Sequence, residues 1–121
     1  MAIEMLRYRI IESIKLLASD GNIQLSCYPE FVCKGDEIAN SLADWLLLYQ
    51  NQMKTEKAGA FSPDELEQII GLNDMISKLS PEVFSDYSIL TSYKWENIRN
   101  VAKKILLLLN EEYSLPDKNS I

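Results

Sequence analysis

Three carboxylates fall within four positions at Asp64, Glu65 and Glu67, and two more are adjacent at Asp36 and Glu37. Carboxylates this close can divide the roles of general acid and general base, or hold a divalent cation between them. Two thiols, Cys27 and Cys33, add possible soft ligands, but two are too few for a zinc site and the five residues between them match no common zinc-ligand pair. The chain has no histidine. It therefore lacks the commonest general base at neutral pH and the commonest metal ligand, and serine–histidine and cysteine–histidine nucleophiles are excluded. Carboxylate-bridged metal sites in helical bundles add a Glu-x-x-His pattern that this chain cannot supply. Four scattered glycines form no phosphate-binding loop. The bland account of both carboxylate groups is that each opens a helix, where the positive end of the helix dipole favours acids. The expectation is a non-enzyme with no catalytic residue, cofactor or metal.

The elements that would carry these residues are helical. Ile3, Leu6, Ile10, Ile14 and Leu17 recur at helical spacing and predict a first helix over 2–19, stopped by Ser19-Asp20-Gly21-Asn22 with Gly21 or Asn22 as C-terminal cap. A loop over 23–35 follows. A second helix is predicted from Asp36 to about Lys54 on the stripe Ile38, Leu42, Trp45, Tyr49 and Met53. Ser62, Pro63 and Glu65 form a capping-box start for a third, running to about Leu79 with Leu66, Ile69, Ile70 and Ile76 inward and Asn73 within the stripe. Pro81 restarts the chain, with a short helical turn over 83–87. A last helix is predicted from about Ser92 to Tyr113, ended by Pro116. The fold class is all-α: a four-helix bundle or similar array with one long ordered loop between the first two long helices. Residues 1–116 form a single helical domain, and 117–121 a frayed tail.

Charge narrows the partners. The net charge of −6 repels nucleic-acid backbones, so no nucleic acid is expected. The excess is concentrated: residues 61–90 hold Asp64, Glu65, Glu67, Asp74, Glu82 and Asp86 against Lys78 alone. Such a segment is either a solvated face or a field that steers a basic protein partner. No run approaches the roughly 18 apolar residues of a membrane span, and Glu4, Arg7, Arg9 and Glu12 interrupt any secretory apolar region. The expectation is a cytoplasmic protein with no membrane association and with reduced cysteines.

Two apolar features leave alternatives open. The loop Ser26 to Lys34 is rich in aromatic and sulfur side chains. Either Tyr28, Phe31 and Val32 plug one end of the bundle, or Tyr28 and Phe31 anchor another protein. The leucine runs Trp45 to Tyr49 and Ile105 to Leu109 each sweep about 400° of helix, so some leucines point away from the core. Those leftovers would suit a homodimer.

Tyr28-Pro29-Glu30-Phe31-Val32-Cys33, followed by Asp36-Glu37-Ile38-Ala39 and Asp44-Trp45, resembles a segment of small bacterial proteins associated with toxin immunity. The resemblance lies within residues 28–45. It implies a cytoplasmic antidote that binds a cognate toxin domain and blocks its active site or substrate groove without catalysis. The expected function is thus a protein-binding inhibitor facing a basic toxin domain. Its partner-binding residues would be Tyr28, Phe31, Asp64, Glu65, Glu67 and Asp74. The alternative is a structural or adaptor subunit that oligomerises through its leucine-rich helices, burying Leu47 and Leu107.

Overall fold

A computed structural model describes residues 1–121 as an all-helical array with no strands. Four long helices carry it: α1 (Ile3–Ala18), α3 (Lys34–Gln52), α4 (Pro63–Ser77) and α6 (Tyr93–Leu108). α1 packs against both α3 and α6, and α4 closes the bundle by packing against the same two. Two short helices, α2 (Gly21–Ser26) and α5 (Asp86–Thr91), and a 3₁₀ turn (Pro81–Val83) cap the end where α1 and α4 finish and α3 and α6 begin.

The predicted stripes form the core. Leu6, Ile10, Ile14, Leu17, Ile38, Leu42, Tyr49, Ile69, Ile76, Ile98 and Ile105 are all buried in one continuous cluster, joined by Leu72. Trp95 is fully enclosed, and its indole N–H donates to the Val83 carbonyl at 2.7 Å, tying α6 to the 3₁₀ turn. The capping box at α4 is complete: the Glu65 amide donates to Ser62 Oγ at 3.2 Å, and the Ser62 amide donates to Glu65 Oε1 at 2.7 Å.

Gly21 corrects the sequence expectation. No glycine has positive φ, and Gly21 begins α2 instead of capping α1. A Cβ there would stand 3.0 Å from an Arg99 guanidinium nitrogen and 3.1 Å from the Ile89 carbonyl oxygen, so the residue serves a close approach between α2 and α5. Gln24 explains why α2 forms where a loop was expected. It is fully buried, donates to the Leu16 and Leu17 carbonyls at 3.1 and 3.3 Å, and so satisfies the open end of α1. Its own oxygen accepts from Arg99 at 3.0 Å, and Arg99 also donates to the Ile89 carbonyl. One buried pair of side chains thereby joins α1, α2, α5 and α6. The irregular part of the expected loop shrinks to residues 27–33.

The other end of the chain also differs. α6 stops at Leu108, short of the expected Tyr113, because Asn110 takes φ of 56°. The Glu111 amide returns to the Leu106 carbonyl and the Asn110 amide to that of Leu107, a Schellman ending with asparagine in the left-handed position. The tail expected to fray lies along α1 as a strap. Buried Glu12 accepts the Asp117 amide at 2.9 Å, Ser19 pairs with the Tyr113 hydroxyl at 2.7 Å, and Lys15 donates to Ser114 at 3.0 Å. Pro116 and Ser120 are buried, and Ile121 packs on the core. Hydrogen bonds from Asn119, Ser120 and Tyr8 hold the Asp117 carboxyl below the usual carboxylate range.

Candidate protein-binding surfaces

α4 presents its acids in two directions because residues advance about 100° per step. Asp64, Glu67 and Asp74 fall on one face and are exposed; Glu65 points aside into the capping box. None of Asp64, Glu65, Glu67, Asp74, Glu82 or Asp86 forms an ion pair, since the four in the molecule are Arg7–Glu111, Lys15–Glu12, Lys34–Glu30 and Arg99–Glu96. Their field therefore reaches solvent without an ion-paired counter-charge, Lys78 being the one base in the segment. Glu67 and Asp74 rim a hollow between α4 and α6, floored by Ile70, Met75 and Val101. Gly71 lies between the two acids with open space where a side chain would stand.

The two aromatic candidates part company. Tyr28 is half-buried and packs against the core, whereas Phe31 is 89% exposed. Each loop reading therefore takes one residue: Tyr28 plugs and Phe31 projects. Tyr28 lines a separate hollow with Glu37, Asp44, Trp45 and Ile121, and none of those residues borders the α4–α6 hollow. Trp45 is held there by the Arg9 guanidinium, 4.5 Å from its ring centroid. The six sequence candidates therefore do not form one site.

Burial pushes the Tyr28 phenol up to about 12, above its ordinary 10. A phenol is neutral while protonated, so a raised native value means that the fold favours the protonated form. The contribution of this group to stability is intact below pH 10, declines as pH rises through 10 and is fully lost beyond about 12. Tyr28→Phe is expected to remove this component. Chemical denaturation of both proteins at pH 9 and above will show it as a smaller alkaline loss in the variant, and equal losses would place Tyr28 in solvent.

Residues missed in the sequence lie at the capped end. Tyr87, Leu90 and Tyr93 are exposed there, on and just after α5. The sequence places Tyr87 in the short turn over 83–87 and Tyr93 in the last helix, yet the three recur at intervals of three, a helical signal too brief to stand out. Glu82 and Asp86 precede them in the chain and are exposed. Both cysteines are free thiols: Cys27 is half-buried, with its value raised by burial, and Cys33 is exposed.

The chain matches no protein-family model, no curated protein and no solved structure. Its surfaces offer exposed acids, exposed aromatics and apolar hollows, with no three carboxylate or thiol groups converging on one point. No helix is long and apolar enough to cross a membrane.

Proposed function

We propose that the protein is a non-enzymatic inhibitor of the immunity type, which neutralises a basic toxin domain by docking the exposed acidic face of α4 against it. The observation that carries this reading is that the six acids between Asp64 and Asp86 enter no intramolecular ion pair. Unpaired surface acids of one sign accelerate encounter with a basic partner and disfavour wrong orientations. The resemblance of residues 28–45 to immunity proteins supports the same role. Phe31 and Tyr87 supply exposed aromatic area of the kind that dominates interface centres.

Within this reading the six sequence candidates take different parts. Asp64, Glu67 and Asp74 meet the partner, while Glu65 holds the start of α4. Phe31 reaches outward, and Tyr28 braces the segment that carries it.

The test is a pull-down from source cells with tagged protein at low and then moderate salt. A basic protein should be retained at low salt and released as the charges are screened. Glu67→Lys combined with Asp74→Lys should weaken that capture by about tenfold or more. Both side chains are exposed and outside every ion pair, so the circular dichroism spectrum should not change. Unchanged capture by the folded double variant removes the acidic face from the mechanism.

A further inference from the structure

The hollow between α4 and α6 continues past its acidic rim. Met75 lines both this hollow and a second one of about 250 Å³, which Lys78, Leu79, Lys94 and Ile98 also line. The two form one groove along the seam of the helix pair. Its order follows from the helices themselves: Glu67, Asp74 and Met75 succeed one another along α4, and Lys78 is the residue that ends it. Glu67 and Lys78 stand roughly 16 Å apart along the axis, at about 1.5 Å of rise per residue. α6 runs the opposite way, so its Val101 borders the first hollow and its Lys94 the second. The first hollow is lined by two acids and no base, the second by two bases and no acid, and none of the four enters an ion pair. Local helix chemistry does not account for Lys94. It is the second residue of α6, where the positive end of the helix dipole favours an acid.

A uniformly basic segment laid along this groove would be attracted at Glu67 and Asp74 and opposed at Lys78 and Lys94. The complementary occupant carries bases at one end, acids at the other and apolar side chains for the floor of Ile70, Met75 and Val101. A helix suits the place better than an extended strand. Both walls are helices whose backbone groups bond internally, so there is no sheet edge for a strand to join, whereas a helix docks through its side chains. We propose that the partner docks by one amphipathic helix lying in the α4–α6 groove, its basic end over Glu67 and Asp74 and its acidic end over Lys78 and Lys94. Resting on the reading that α4 meets the partner, this docking adds a direction that the acids alone cannot set. Met75 stands at the junction, where an unbranched side chain adapts to the apolar residue placed against it.

Two synthetic peptides of about 18 residues, long enough to hold a helix and span both hollows, test it by fluorescence anisotropy against the full chain. Both carry one leucine stripe; the first has glutamates in its N-terminal half and lysines in its C-terminal half, and the second has lysines throughout. The wild type is expected to bind the divided peptide at least about tenfold tighter, although the all-lysine peptide is the more strongly charged. Lys78→Glu combined with Lys94→Glu should reverse that preference, because the whole groove then becomes acidic. Lys78 is exposed and an acid at position 94 suits the start of α6, so this variant should fold as the parent does, which circular dichroism checks. A wild type that fails to prefer the divided peptide overturns the proposal, as does a lysine reversal that leaves the preference intact. The acidic face fails separately, if Glu67→Lys with Asp74→Lys leaves binding of the all-lysine peptide unchanged. Self-association of the wild type, abolished by the same lysine reversal in sedimentation equilibrium, would give the groove to a second copy and also overturn the proposal.

Discussion

Trp95→Ala is expected to cost about 4 kcal/mol of stability, the usual scale for removing a fully buried tryptophan. Leaving the Val83 carbonyl without its indole donor adds about 1 kcal/mol or more. A domain at the lower end of the ordinary range of about 5–15 kcal/mol would be left marginal or unfolded at room temperature. The damage should extend beyond the cavity. Trp95 joins α6 to the 3₁₀ turn, and Phe84 lies against its ring with centroids 6.3 Å apart. Urea denaturation followed by circular dichroism measures the loss without relying on the deleted fluorophore. Trp95→Phe helps separate the two contributions, since it loses the donor but keeps most of the volume. If Phe proves as harmful as Ala, the hydrogen bond rather than packing dominates this position.

Gly35→Ala carries the second large expected effect, and its sign reverses the usual rule. An alanine within a helix is ordinarily more stable than glycine by about 1 kcal/mol. At Gly35 the added Cβ would fall into the Phe84 backbone, only 2.8 Å from both its carbonyl carbon and its Cβ. Backbone cannot change rotamer, so the turn after Pro81–Val83 would have to lift away from α3. Overpacking of this kind costs about 1–3 kcal/mol, and the displaced turn also loosens the Val83 carbonyl from Trp95. Gly71→Ala is the matched control, because that helical position is exposed with nothing within 4 Å of the new Cβ. Thermal unfolding is expected to fall for Gly35→Ala and rise slightly for Gly71→Ala. A rise for both would mean that the Phe84 turn yields freely.

The same contrast shows where a sequence is informative. Ser62-Pro63-x-Glu65 marks a helix start because every atom involved lies within one turn of chain. The reasons for Gly21 and Gly35 are neighbours far along the chain, Arg99 for one and Phe84 for the other. α2 was hidden for a related cause. Its six residues are too few to stand as a helix alone, and Gln24 is held by carbonyls of α1 and by Arg99. Among the binding candidates, the clustering of acids on α4 could be read directly. The separation of structural Tyr28 from projecting Phe31 could not, since both sit in an irregular segment with no periodicity to orient them.

What the sequence determined by itself was the all-helical character, the apolar face of each long helix, the α4 cap and the location of the negative charge. These follow from periodicity, capping and composition, which act over a few residues. Tertiary structure decided which leucines stay outside, how the last residues strap onto α1, and that Lys78 and Lys94 share one hollow. Those outcomes rest on contacts such as Ser19 with Tyr113 and Glu12 with Asp117, 94 and 105 positions apart. Burial and pairing at that range depend on where the rest of the chain packs, and no local pattern encodes it.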